Sequence, residues 1–164
     1  MPNSDTFSIP VIGDFVKKYL LNTQRSLDPF ARNSMLAKYR NDLNPETQAE
    51  YHFDAEEFCG LILEKVGLCD VGIFDPPYSP RQISEAYKIA GLKVGMEETQ
   101  NGKLYKRVRD ALDEAIKPGG VVLSFGWNTS GMGKGRNYDI VEILLVAHGG
   151  AHNDTICMAE RKHV

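Results

Sequence analysis

The stretch Asp70–Pro80, DVGIFDPPYSP, decides how the rest of the chain is read. Ile73 and Phe74 close a short apolar run of the kind that fills a buried strand. The run then breaks into an acid, two prolines and a tyrosine. Pro76 and Pro77 bring no N–H to a ladder, so the strand must stop there. Each proline also holds the residue before it extended, which stiffens Asp75 and Pro76. A carboxylate, a fixed backbone carbonyl and an aromatic face are thereby gathered at the C-terminal end of a strand.

Such a set suits an amine that has to be made nucleophilic. In adenine or cytosine the exocyclic nitrogen shares its lone pair with the ring. Acceptors on its two N–H groups, here the Asp75 carboxylate and the Pro76 carbonyl, would draw the nitrogen towards tetrahedral geometry. Tyr78 would stack on a base taken out of its helix. Positioning and fixed dipoles carry this kind of reaction. The plainer alternative is a Pro-Pro turn after a strand, with Asp75 as its cap.

The string Asp75-Pro76-Pro77-Tyr78 resembles the catalytic motif of amino-directed S-adenosylmethionine-dependent methyltransferases. These include the adenine-N6 and cytosine-N4 DNA enzymes, and some guanine-N2 RNA and glutamine-N5 protein enzymes have related motifs. Asp28-Pro29-Phe30-Ala31 resembles the DPFAG element that follows the first strand and approaches the methionine part of the cofactor. Asp42 resembles the acid after the second strand, which accepts hydrogen bonds from the ribose hydroxyls. Asp54-Ala55 resembles the element near the adenine amino group, and Phe15 resembles part of a further cofactor-contacting segment. The resemblance implies S-adenosyl-L-methionine as cofactor, a catalytic set Asp75, Pro76, Pro77 and Tyr78, and a DNA or RNA partner. The Asp form of the motif leans towards adenine N6 in DNA, since cytosine-N4 enzymes more often carry Ser there. RNA or protein (glutamine) amino-methylation is the alternative, and a non-catalytic binding module that keeps the fold is another.

Each acid also has an ordinary structural reading. Asp28 before Pro29, and Asp42 before Asn44-Pro45, are good turn chemistry. Asp54 is a helix N-cap, with Glu57 three residues on to complete a capping box. One departure from the family pattern stands out: Arg32-Asn33-Ser34 follows Ala31 where the family has glycine. The Asp28–Asp42 interval is short as well, leaving room between the first two strands for only an abbreviated helix, Ser34–Tyr39.

The 164 residues form one expected domain, 1–164, with no separate target-recognition region. Hydrophobic content of 42% and charged content of 25% are those of an ordinary globular chain. No apolar run is long enough to span a membrane and no signal peptide is evident, so a cytoplasmic location is expected. Three scattered cysteines, Cys59, Cys69 and Cys157, suggest neither a disulfide framework nor a zinc site. A net charge of −3 argues against unselective coating of nucleic acid. The cations Lys103, Lys106, Arg107 and Arg109, with Lys117, Lys134 and Arg136, read either as a solvated face or as a local nucleic-acid contact.

Periodicity places a helix over Phe15–Leu20, and in YHFDAEEFCGLILEKVG, which opens at Tyr51, a short strand followed by a helix over about Ala55–Lys65. Ser79–Ala90 reads as a helix or a lid. A strong amphipathic helix covers Leu104–Ile116 and is closed by a Lys117–Gly120 turn. The strand VVLSFGW follows, then a hairpin pairing DIVEILLVAH with DTICMAER across GGAHN. This order predicts an α/β protein with a Rossmann-like methyltransferase fold: a single mixed sheet, helices on both faces and a C-terminal antiparallel hairpin. The loop GMGKG at Gly131–Gly135 lacks the Walker ending. Trp127, Asn128, Lys134 and Arg136 are the candidate substrate contacts beyond Tyr78. His148 and His152 read as turn residues, and no metal site is expected.

Overall fold

The computed structural model describes residues 5–77, 80–93 and 101–164. A six-stranded sheet forms its centre. It contains β1 (Ser26–Asp28), β2 (Tyr39–Arg40), β3 (Cys69–Phe74), β4 (Ile116–Gly126), β5 (Tyr138–Val146) and β6 (Thr155–Lys162), in the spatial order β2-β1-β3-β4-β6-β5. The first four neighbours run parallel, while β6 is antiparallel to both β4 and β5. The sheet is therefore mixed and ends in the expected hairpin.

Helix α1 (Pro10–Leu20) starts on a proline, whose missing N–H costs nothing in a first turn. Its buried stripe of Ile12, Phe15 and Val16 covers one face of the sheet, against Val71, Ile73, Leu123 and Phe125. The opposite face takes α2 (Ala55–Val66) and α4 (Asn101–Ala115). There Phe58, Ile62, Val108 and Leu112 pack over Leu27 and Val122. Gly72 makes this close approach possible, because a Cβ on it would stand 2.9 Å from Leu112 Cδ1. A further helix, α3 (Pro80–Ile89), fills the Ser79–Ala90 region, with Ser79 itself outside the described residues.

Several expectations are corrected. Residues 34–38 are irregular, with a bend at 37–38, instead of a helix, and Tyr39 belongs to β2. Local side chains take the backbone donors a helix would need: Lys38 N–H donates to Ser26 Oγ at 2.9 Å, and Leu36 N–H to Ser34 Oγ at 3.4 Å. The strand expected near Tyr51 is only a one-pair parallel bridge, Asn41 with Tyr51. Lys117–Gly120 does not separate helix from strand but lies inside β4, where the pairing jumps from Cys69–Ile116 to Val71–Val121. Gly119, at φ +76°, lets the extra residues bulge out.

Candidate active site

The strand order reverses around β1, whose chain neighbour β2 lies on one side and β3 on the other. In open parallel sheets the crevice beyond the carboxyl ends of such strands takes the ligand. Here a cavity of about 450 Å³ opens at that place. Pro29, Phe30, Asp42, Asp54, Ala55 and Pro77 all line it, so six of the site residues expected from the sequence share one cleft. A volume of this size falls within the range of small-molecule sites.

Asn41 builds the wall of the cleft. It is fully buried, and its Nδ2 donates to the Pro29 carbonyl at 3.1 Å and the Phe53 carbonyl at 3.0 Å. Its Oδ1 accepts the Phe53 N–H at 2.9 Å. One amide thus ties the loop after β1 to the segment entering α2. Asp42 follows it, each carboxylate oxygen held by one backbone N–H: Asn44 at 2.9 Å on Oδ1 and Arg32 at 3.1 Å on Oδ2. A carboxylate has about four acceptor sites, so this anchored group still has capacity for two hydroxyl donors. Asp54 does cap α2, accepting Glu56 N–H at 3.0 Å on Oδ1, while its Oδ2 accepts the Tyr87 hydroxyl of α3 at 2.9 Å. The capping and cleft-lining readings of Asp54 therefore hold together.

Asp28 and Asp75 lie beneath the lining. Asp28 is fully buried, with Oδ1 accepting Phe30 N–H at 3.0 Å and Oδ2 without a partner among the described residues. Burial pushes its carboxyl up to about 8, and the neighbouring Asp75 and Asp42 charges add to the rise. Asp75, at the end of β3, is only 2% exposed. Thr6, in a single 3-10 turn (Thr6–Ser8) ahead of α1, donates its hydroxyl to Asp75 Oδ2 at 2.7 Å, and Arg32 Nη1 stands 3.8 Å from the same oxygen. Pro76 is buried and Pro77 half-buried, and the Pro77 carbonyl accepts the Tyr105 hydroxyl from α4. Burial raises that phenol to about 12, so it stays a donor at neutral pH. Phe74 is enclosed by Phe30 and Tyr105, each about 6.1 Å away, with Arg109 above its ring at 5.1 Å. Tyr78 lies outside the described residues.

The remaining candidates fall elsewhere. Phe15 packs on the far face of the sheet against Tyr19 and Phe125, because the α1 stripe needs it as core. Trp127 and Asn128 are exposed at the C-terminal end of β4, outside the cleft lining, with Asn128 Oδ1 closing a turn on Ser130 N–H at 2.9 Å. Lys134 is exposed on the following loop. Arg136 is spent on structure, bonding the Met132 carbonyl at 2.5 Å and pairing with Asp110. Much of the basic series is internally paired too: Lys106 with Asp110, Arg107 with Glu56 and Lys117 with Asp70. His148 Nε2 meets Thr155 Oγ1 at 2.7 Å, closing the hairpin as a turn residue would. The three cysteines are free and buried, with thiols raised by desolvation, which makes them poor nucleophiles. No group of metal-ligating side chains occurs among the described residues. Nor does any described helix have the length and apolarity to cross a membrane.

Arg32 is the unexpected feature. Its φ is +51°, the left-handed conformation that glycine adopts freely and that costs other residues about 1–2 kcal/mol. The loop thus holds a long cation in the cleft lining at a backbone position that glycine would occupy without strain. Sequence alone marks Arg32 as a departure, but nothing local signals the roles of Thr6, Asn41 or Tyr105.

No family model matches the chain, and no curated protein matches its sequence. Solved structures do match. The N-methyltransferase NodS from Bradyrhizobium japonicum aligns over 98% of this chain and 99% of its own, at 10% identity and TM-score 0.62. NodS has also been crystallised with S-adenosyl-L-homocysteine, and that form matches at TM-score 0.59. TrmN from Thermus thermophilus aligns over 93% of this chain and 48% of its own, at 15% identity and TM-score 0.62. An rRNA methylase from Streptococcus thermophilus aligns over 99% of both chains at 12% identity and TM-score 0.54. Together with the strand order and the cleft at its reversal, these likenesses define the class: the chain has the Rossmann-like fold of S-adenosylmethionine-dependent methyltransferases.

Proposed function

We propose that the protein transfers a methyl group from S-adenosyl-L-methionine to an exocyclic amino nitrogen of a nucleic-acid base, adenine N6 in DNA. The observation that carries this reading is the place of Asp75. It is a rigidly held carboxylate directly after β3, followed by two prolines, and it lies beneath a cleft lined by Asp42, Asp54 and Pro77.

The residues fit the cofactor. Asp42 presents an oriented carboxylate suited to a vicinal diol. Phe30, Phe53 and Ile83 give apolar walls for an aromatic base. The partnerless Asp28 Oδ2 offers a polar atom below the position assigned to the methionine part. NodS, which shares the fold, takes S-adenosyl-L-homocysteine. When bound, the cofactor supplies a methyl group on a sulfonium. The protein's own work is to orient the amine. Asp75 accepts one N–H and the Pro76 carbonyl the other, localising the lone pair, and Tyr78 stacks on the base. Thr6 and Arg32 both meet Asp75 at Oδ2, so an amine bound there would share that oxygen with them or displace them.

A second reading is supported by the charges. The net charge is −3 and much of the basic series pairs with neighbouring acids, an arrangement that also suits the amide of a protein glutamine. Incubation with methyl-labelled cofactor and a panel of DNA, RNA and protein, followed by mass spectrometry of the labelled product, tests both. N6-methyladenine in DNA is the expected product. Asp75→Ala should reduce transfer by about 10²–10³-fold, the loss typical when one preorganised polar group is removed. Transfer at near wild-type rate in that variant would reject the assigned role.

A further inference from the structure

The cleft is acidic, with one exception. Among its described lining residues are the carboxylates Asp5, Asp42, Asp54 and Glu85, and a single cation, Arg32. The proposed cofactor carries an ammonium, a sulfonium and an α-carboxylate. The two cationic groups suit an acidic cleft, whereas among the described lining side chains only Arg32 offers the carboxylate an opposite charge. The Arg32 backbone is anchored by its N–H to Asp42 Oδ2 at 3.1 Å, which fixes the root of the side chain between the first and second strand ends. Its guanidinium lies 3.8 Å from Asp75 Oδ2 and is 29% exposed, so it borders both the catalytic acid and the open cleft. The left-handed φ of +51° also bears on the point, since a glycine would follow the same path without strain and a strained residue at a ligand cleft points to use.

We infer that Arg32 is the carboxylate-binding residue of this cleft, holding the α-carboxylate of the amino-acid end of the cofactor by a charge-assisted pair. The inference rests on the cofactor assignment above and adds a ligand group and a residue to it. A guanidinium matches a carboxylate in shape, with two parallel donors, and the pair is strongest where water is partly excluded. The same guanidinium then decides which adenosyl ligands bind, because those lacking the carboxylate forfeit the contact.

Isothermal titration of the full chain with S-adenosylmethionine and with its decarboxylated analogue tests this without an activity readout. The wild type should favour S-adenosylmethionine by about 10- to 100-fold, the range expected of a hydrogen bond to a charged group. Arg32→Gly, which restores the unstrained backbone, should lose that preference while binding the decarboxylated analogue within about twofold of wild type. Arg32→Lys should keep part of the preference. Far-ultraviolet circular dichroism and a melting curve verify that the variants are folded. Equal wild-type affinity for the two ligands, or undiminished preference in Arg32→Gly, would overturn the role of Arg32 while leaving the cofactor assignment intact. A wild-type chain that binds neither ligand would overturn both.

Discussion

Asp28→Asn tests whether an acid can sit fully buried under the cleft. Asp28 has no exposed surface, one partnerless oxygen, and two further carboxylates, Asp42 and Asp75, nearby. Its carboxyl is raised from an ordinary value of 3.8 to about 8, chiefly by burial. Between those values the folded chain holds a proton that the unfolded chain has released. Stability from this group is therefore fully present below about 4 and is lost as pH rises through about 8. One proton of difference gives a slope of about 1.4 kcal/mol per pH unit, or about 3–6 °C in Tm per pH unit for a chain of this size. Asparagine copies the shape of the protonated acid but cannot ionise. Melting curves from pH 5 to pH 8 should show the wild type losing stability relative to Asp28→Asn as pH rises, with the two closest at pH 5. Differencing the two proteins cancels the other titrating groups. Parallel curves, or a wild type that gains on the variant with pH, would refute the argument that burial dominates at this site.

Two further substitutions probe the supports of the site. Thr6→Val keeps the shape of the side chain but removes the 2.7 Å donor to Asp75, and should cost about 1–3 kcal/mol of stability along with a fall in kcat, read by chemical denaturation and by initial rates. Unchanged kcat would mean that Thr6 does not hold the acceptor. Asn41→Ala removes the amide joining Pro29 to Phe53 and leaves the buried Pro29 carbonyl, together with the Phe53 carbonyl and N–H, to find new partners. It should destabilise by about 2–4 kcal/mol in urea denaturation and weaken cofactor binding, whereas wild-type affinity would show that the cleft wall stands without it.

Whatever is encoded by local pattern was legible in the chain itself. The 3.6-residue stripes of α1, α2 and α4 announced themselves, because burying one side of a helix demands that spacing. The DPPY break marked the end of β3, since two prolines cannot extend a ladder. The alternation of elements and the final hairpin pointed to the mixed sheet. Of the acids matched to cofactor elements, Asp42 and Asp54 line the cleft.

What depends on contacts distant in sequence was decided only by the tertiary structure. Thr6 is 69 residues from Asp75, and Tyr105 is 28 from Pro77. No local signal marks a residue whose value lies in a partner on another element. The irregular path of residues 34–38 escaped for a related reason, as Ser26 from a neighbouring strand captures the donor that a helix would have used. Burial itself is likewise a property of the assembled layers. An aspartate in the sequence is equally a turn, a cap or a ligand, and only the packing of β1 between β2 and β3 buries Asp28 under the cleft, which raises its carboxyl, and places Arg32 beside Asp75.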